Sequence, residues 1–165
     1  KEALYEAVLE QVFAPILVSL QQFAAPDVPP RLALEQIIQR ILELTSRNPG
    51  VPAMLFFETI QNHGAFYEQI GFPSVYHVLT EILERGKRQG VFRPIDSWHT
   101  AVNIIGACCF YYCAAPRLDN IFPARVKELR PAAAKQHGRE ALDMILNGIL
   151  RQPAYGSCRG LRQFR

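Results

Sequence analysis

Apolar residues recur every three or four positions along most of this 165-residue chain. That period is typical of α-helices with one buried face, whereas half-buried strands alternate every second residue. We find no alternating run long enough to predict a strand, and no internal repeat. The pattern therefore predicts an all-α chain. It is clearest in the first segment, at Leu4, Val8, Leu9, Val12, Phe13, Ile16, Leu17, Leu20 and Phe23.

Proline, glycine and asparagine divide this pattern into helices. The breaks predict an antiparallel bundle of about six helices, with a partly ordered loop over 116–130. Pro15 is expected to kink the first helix because it lacks a backbone donor, and Asp96 is expected to cap the fifth. We assign residues 1–152 to one helical domain and 153–165 to a flexible basic tail. The predicted helices are 1–25, 32–47, 52–62, 65–89 with an interruption at 71–73, 96–115, and 132–150.

The composition narrows the class of protein. Hydrophobic residues make up 49% of the chain, enough for a packed core. The net charge of +3 is too small to indicate nucleic-acid binding by these residues. The longest apolar stretch, 101–115, is shorter than the roughly 20 residues that span a bilayer. Three of the four cysteines lie within six positions of one predicted helix, where disulfide geometry is hard to reach. We therefore expect a cytoplasmic protein that does not bind membranes.

Residues that carry catalytic or metal chemistry are sparse. Cys109 and Cys113 are four positions apart, but no histidine or carboxylate near them completes a metal site. The four histidines are scattered singly, and no nucleophile or phosphate-binding motif is present. We predict no enzyme activity, no cofactor and no metal. A small helical enzyme using Glu58 or His77 is the alternative that this reasoning leaves open.

Small residues follow one face of the last predicted helix. Glycine inside a helix costs about 1 kcal/mol relative to alanine, so close packing against another helix is expected to offset that cost. Two antiparallel helices from each of two subunits would then form a four-helix interface around a two-fold axis. The alternative is packing within one subunit. The predicted homodimer interface consists of Trp98, Ala101, Ile105, Cys109 and Tyr112 with Ala134, Gly138, Ala141, Ile145 and Gly148.

Aromatic residues concentrate in the middle helices. Most of them are expected to be ordinary core. Asn103 on an apolar helix, and Tyr76 near a glycine and proline break, add polar groups that need partners when buried. Aromatic walls with a few polar groups are typical of cavities that hold small apolar molecules. The predicted ligand-binding residues are Phe57, Ile60, Phe66, Tyr76, Asn103 and Phe110.

The opening segment carries a family resemblance. Lys1-Glu2-Ala3-Leu4-Tyr5 leads directly into an amphipathic helix, and no Ser, Thr, Asp or Asn precedes that helix to cap it. This opening resembles the junction in tetracycline-repressor-type (TetR) transcriptional regulators, where a helix-turn-helix DNA-binding domain ends just before such a helix. The order of helices to about Leu150 is similar to the regulatory domain of that family.

The resemblance implies the fold and the function. It implies a C-terminal TetR-like domain that dimerises through its last two long helices and binds a small hydrophobic effector. Operator DNA would be bound only through an N-terminal domain that these 165 residues lack. Binding of an apolar or amphipathic ligand would move the first helix, with Pro15 as the hinge, and change the spacing of two DNA-binding domains. The alternative is a structural helical dimerisation module without a small-molecule ligand.

Overall fold

The computed structural model describes residues 2–25, 27–69, 71–118 and 133–151. These residues form six α-helices and one short 3-10 helix, and they contain no strand. The predicted all-α class is confirmed. The elements are α1 (Glu2–Gln21), a 3-10 helix (Gln22–Ala24), α2 (Pro30–Arg47), α3 (Gly50–Gln61), α4 (Pro73–Arg88), α5 (Ser97–Leu118) and α6 (Ala133–Ile149).

Local sequence signals explain where these helices begin and end. Pro30 and Pro73 occupy first-turn positions, where a missing N–H costs nothing. Asp96 caps α5, because its Oδ1 accepts a hydrogen bond of 2.8 Å from the His99 backbone N–H. Gly90 ends α4 in the left-handed region at φ 71, and the N–H of Val91 donates to the Gly86 carbonyl at 2.9 Å.

The segment between α3 and α4 differs from the prediction. A helix was expected from residue 65, but the described residues from 63 to 72 form turns. His63, Gly64 and Gly71 have positive φ angles of 54, 75 and 69, which no right-handed helix contains. The periodicity was misleading here because one conformation-setting contact, between the Glu58 carboxylate and the Phe66 backbone, is not local in sequence.

Helix α2 lies at the centre of the bundle, where it packs against α4, α5 and α6. Its residues Leu34, Ile37 and Ile38 are completely buried, as is Leu79 of α4. The short helix α3 is less buried: Phe57 on it, which was predicted to bind a ligand, is 54% exposed. The core therefore rests on the amphipathic helices α2 and α4.

Helix α6 is anchored to the body of its own chain at both ends. At its start the His137 ring stacks on Tyr111 of α5, with ring centroids 4.0 Å apart. Gly138 faces Leu42 of α2, whose Cδ1 lies 3.8 Å from where a β-carbon would stand. At its end the connector after α4 pairs with residues 149–151, and Arg93 N–H donates to the Ile149 carbonyl at 3.0 Å. Helices α5 and α6 are therefore antiparallel neighbours.

Several predictions concern residues outside the described part. Residues 119–130 of the predicted loop lie outside the described part of the chain. Residues 116–118 were also predicted to be loop, but they belong to α5, which ends at Leu118. Residue 132, where the last helix was predicted to begin, and the predicted tail 153–165 also lie outside the described part of the chain. Helix α1 is continuous through Pro15, whose side chain is not among those described, so the hinge stays a prediction. Among the described helices, none is long and apolar enough to cross a membrane.

Candidate functional site

A cavity of about 710 Å³ opens between α3, α4 and α5. Pockets that hold drug-sized molecules have volumes of about 300 to 1,000 Å³. The volume is therefore sufficient for a small organic ligand. The cavity is lined by Leu55, Phe56, Thr59, Tyr67, Phe72, Pro73, Tyr76, His77, Trp98, Val102, Ile105, Gly106 and Cys109.

Aromatic rings form a continuous wall of this cavity. The Phe72 ring lies 4.8 Å from Tyr67 and 5.5 Å from Tyr76, measured between ring centroids. Tyr76 in turn lies 5.3 Å from Trp98 at the start of α5. Rings at these separations attract one another and hold their orientations. The wall is therefore formed by three elements, the turn before α4, α4 itself and α5.

The polar groups of the cavity are few, mainly two tyrosine hydroxyls, the Thr59 hydroxyl and the His77 imidazole. No Asp, Glu, Lys or Arg is among the lining residues. The Tyr67 hydroxyl donates to the Leu55 carbonyl at 2.7 Å and also contacts the Thr59 hydroxyl. Burial raises the pKa of Tyr67 and of Tyr76 above that of an exposed phenol, so both remain protonated at neutral pH. A neutral, largely apolar ligand suits such a lining.

A buried carboxylate positions the turn that supplies two of these aromatic residues. Glu58 has no exposed surface, and it does not line the cavity. Its Oε2 accepts a 2.6 Å hydrogen bond from the Asn62 amide, and its Oε1 accepts a 3.0 Å bond from the Phe66 backbone N–H. These bonds fix the segment that carries Tyr67 and Phe72. The contacts indicate that Glu58 organises the cavity wall.

Phe72 also separates the large cavity from a smaller void near α1. The void has a volume of about 40 Å³ and is lined by Phe13, Leu17 and Leu20 of α1, together with Phe72 and residues of α2, α3, α4 and α5. The Phe72 and Phe13 rings meet edge to face, with centroids 6.4 Å apart. One side chain therefore contacts both the cavity and the first helix.

One of the six predicted ligand-binding residues, Tyr76, lines the cavity. Phe66 is half-buried beside Glu58, and its backbone supports the wall. Phe110 contacts the lining residue Phe56 at 6.0 Å between centroids but is itself 59% exposed. The remaining three, Phe57, Ile60 and Asn103, are exposed on α3 and α5.

Sequence reasoning missed most of the lining. Tyr67 and Phe72 lie close in sequence to Gly64 and Gly71, whose positive φ angles mark the irregular segment that carries them. Trp98, Ile105 and Cys109 were assigned to the dimer interface, but all three line the cavity.

The predicted interface residues divide into buried and exposed sets. Trp98 is 57% exposed and Gly148 is exposed, whereas Ile105 and Gly138 are half-buried. The side chain of Ala134 lies outside the described part of the chain. The members that are buried within their own subunit are Ala101, Cys109, Tyr112, Ala141 and Ile145.

Two cysteines of α5, Cys108 and Cys109, form no disulfide in the described structure. Cys108 and Cys109 are buried, and burial raises the pKa of the Cys109 thiol to about 12. A thiol with so high a pKa is a poor nucleophile and a poor metal ligand at neutral pH. The described residues contain no group of three or more His, Cys, Asp or Glu that could hold a metal ion.

Comparison with known proteins identifies similar sequences and structures. The family described as "Tetracyclin repressor-like, C-terminal domain" matches residues 30–145, which is more than half of the chain. A bacterial regulatory protein in the TetR family from Rhodococcus RHA1 has a similar structure, with a TM-score of 0.63 and 20% sequence identity. That alignment covers 87% of this chain and 73% of the Rhodococcus chain. No curated protein matches the sequence.

Proposed function

The chain belongs to the tetracycline-repressor-like C-terminal domain family, whose members are regulators and not enzymes. We propose that its effector is a small neutral, apolar or amphipathic molecule, which binds in the aromatic cavity. Occupancy of the cavity would be relayed through α1 to an N-terminal DNA-binding domain. The partners of the domain are then the effector, a second copy of the chain, and operator DNA reached only through that N-terminal domain. The proposal places this domain in the cytoplasm.

The observation that carries the proposal is the lining of the 710 Å³ cavity. Five aromatic residues supply apolar contact, and no carboxylate, amine or guanidinium lines the cavity, although the imidazole of His77 does. Burying a charge without a partner is costly, so cations and molecules whose charge lies away from His77 are disfavoured. A structural dimerisation module without a ligand would have no use for a cavity of this size.

The relay is supported by the position of Phe72. This side chain contacts Tyr76 in the cavity wall and Phe13 on α1, and it borders the 40 Å³ void beside α1. A ligand that displaces Phe72 would press on Phe13 and shift α1. Packed cores respond to such displacement by switching between discrete arrangements, which converts a small local change into helix movement.

Dimerisation through α5 and α6 is supported by their unpartnered outer surfaces. Val102 is 42% exposed, Phe110 is 59% exposed and Met144 is 62% exposed, a combination that a solitary subunit would leave in water. These three side chains extend the predicted interface beyond its exposed members Trp98 and Gly148.

Ligand binding can be tested with the intrinsic fluorescence of Trp98, because the chain contains one tryptophan and it lines the cavity. The neutral dye N-phenyl-1-naphthylamine accepts energy from tryptophan. We expect saturable quenching of Trp98 at one dye per chain. Absence of quenching at any concentration, with the chain folded, would favour the structural module.

A matched pair of variants at Thr59 locates the binding site. Thr59→Phe places a ring in the cavity, whereas Thr59→Val preserves the volume, and both remove the same contact with the Tyr67 hydroxyl. We expect dye binding to be lost in the first variant and kept in the second. Equal binding by both variants would place the dye elsewhere.

The relay has a separate test at Leu4, which is 72% exposed near the start of α1. Saturation with dye should shift the methyl NMR signals of Leu4, and the shift should shrink in Phe13→Ala. A Leu4 signal that does not respond to saturating dye would refute the relay without affecting the binding proposal.

A further inference from the structure

The three hydroxyl groups that line the cavity differ in whether their hydrogen atoms are already used. The Thr59 hydroxyl donates to the Leu55 carbonyl at 2.9 Å, and the Tyr67 hydroxyl donates to the same carbonyl at 2.7 Å. The two hydroxyl oxygens also contact each other. A hydroxyl has one hydrogen to donate and two lone pairs that accept. Thr59 and Tyr67 can therefore accept a hydrogen bond from a ligand, but they have no hydrogen left to give.

The third hydroxyl, that of Tyr76, donates to no residue in the described part of the chain. It lies toward the interior of the cavity, because burial raises the pKa of Tyr76 and the nearby lining residues Tyr67 and Cys109 add to the increase. The side-chain N–H groups of the lining belong to His77 and Trp98, which are both exposed. Tyr76 thus carries the uncommitted hydroxyl donor of the cavity wall.

An uncommitted donor defines the complementary group on a ligand. A hydrocarbon that displaces water from the cavity leaves the Tyr76 hydroxyl unpaired, whereas a carbonyl oxygen accepts its hydrogen. Sites with a polar group that would be left unpaired discriminate against molecules that lack the partner. A carboxylate fits less well, because no lysine or arginine lines the cavity. In addition, burial raises the pKa of Tyr67 and the Glu58 carboxylate adds to this, so negative charge is already present behind that wall.

We propose that Tyr76 determines the specificity of the cavity by donating a hydrogen bond to an uncharged carbonyl oxygen on an otherwise apolar effector. The inference rests on the proposed function and deepens it by naming the class of effector as a ketone, ester or amide. The Tyr76 ring is held between Phe72, at 5.5 Å, and Trp98, at 5.3 Å between centroids, so its orientation is set before a ligand binds. A net hydrogen bond changes an affinity by about 2-fold to 12-fold.

Two neutral naphthalene probes distinguish this hydrogen bond from apolar contact. N-phenyl-1-naphthylamine contains no oxygen, whereas 6-propionyl-2-(dimethylamino)naphthalene, called here the ketone probe, has one carbonyl oxygen. The emission of the ketone probe moves to longer wavelength when that oxygen accepts a hydrogen bond. We expect Tyr76→Phe to lower the affinity for the ketone probe by about 2-fold to 12-fold and to move the emission of the bound probe to shorter wavelength. The affinity for N-phenyl-1-naphthylamine should not fall.

Two other tyrosines supply matched controls, because the same substitution removes one hydroxyl from each. Tyr111→Phe, at a half-buried residue of α5 that does not line the cavity, should leave both affinities as in wild type. Tyr67→Phe should change both affinities by the same factor, since its hydrogen is committed to the Leu55 carbonyl. The ratio of the two affinities removes any general effect of a variant on folding or on the shape of the wall.

The outcomes separate this inference from the proposed function. A Tyr76→Phe chain in which either the ratio of affinities or the emission of the bound ketone probe stays as in wild type would overturn the inference. Binding of N-phenyl-1-naphthylamine but not of the ketone probe by wild type would also overturn it, and the proposed function would remain intact in both cases. Binding of neither probe by the folded wild-type chain would instead refute the proposed function.

Discussion

Replacing Gly86 by alanine should destabilise the chain, although the same change stabilises most helices. Gly86 lies in the last turns of α4, and a β-carbon there would stand 2.1 Å from Cδ2 and 2.2 Å from Cε2 of Phe92. The Phe92 ring is 2% exposed. Its backbone cannot move away easily, because the Phe92 N–H donates to the Gly86 carbonyl at 3.2 Å and the next residue pairs with the end of α6.

The magnitude follows from two opposing terms. Alanine in a helix interior is favoured over glycine by about 1 kcal/mol. Overpacking a core costs about 1 to 3 kcal/mol, and complete loss of a buried phenylalanine costs about 3 to 5 kcal/mol. Since the overlap at Gly86 exceeds 1 Å, the ring must leave its site in part. We expect the free energy of unfolding to fall by about 2 kcal/mol.

Gly50 provides a matched control, because a β-carbon there meets no atom within 4 Å and the residue lies on α3, outside the proposed dimer surface. Gly50→Ala should keep the free energy of unfolding within about 1 kcal/mol of wild type. Urea denaturation at one fixed chain concentration measures both variants. Adding Phe92→Leu should recover part of the loss in Gly86→Ala, as expected for residues in contact. A Gly86→Ala chain as stable as Gly50→Ala would refute the packing argument.

Three further outcomes are expected. Burial lowers the pKa of His137, and the Ala107 carbonyl opposes this only in part, so the unfolded chain binds a proton more readily than the folded chain. The free energy of unfolding should be level between about pH 6.5 and pH 8 and decrease below pH 6.5, and His137→Phe should reduce that decrease. Glu58→Ala should lower the free energy of unfolding by about 1 to 3 kcal/mol in urea denaturation and should weaken dye binding, whereas the control Glu81→Ala, at an exposed residue, should do neither. A Glu58→Ala chain with unchanged affinity for the dye would contradict the role of Glu58 in positioning the cavity wall. Cys108, which is completely buried and lines neither cavity, should react with N-ethylmaleimide only in denaturant, as mass mapping would show.

The helices could be predicted from the sequence because their signals are local. The Asp96 cap and the left-handed Gly90 each set a boundary through neighbours within a few positions, whereas α2 begins at Pro30, two residues before its predicted start at 32. The turn over residues 63–72 could not be predicted, because it depends on Glu58 reaching eight residues forward to the Phe66 backbone. The sequence pointed to Glu58 only as a candidate catalytic residue, because its hydrogen bond to the Phe66 backbone is visible only in the structure.

The cavity was predicted in kind but not in detail. Aromatic clustering indicated a pocket, and Tyr76 is in its wall. Which face of α3 and α5 borders it depends on how those helices rotate against α4, and periodicity does not report rotation when a helix is apolar nearly all round. Phe57 was therefore assigned to the lining, whereas the neighbouring Phe56 lines it.

A crystal structure of the chain grown with N-phenyl-1-naphthylamine tests the central claim most directly. Density for the dye is expected between α3, α4 and α5, in contact with Phe72 and Tyr76, and with a second copy of the chain against Trp98 and Val102. A structure in which the chain's own side chains fill that volume and no density for the dye is present would contradict the account.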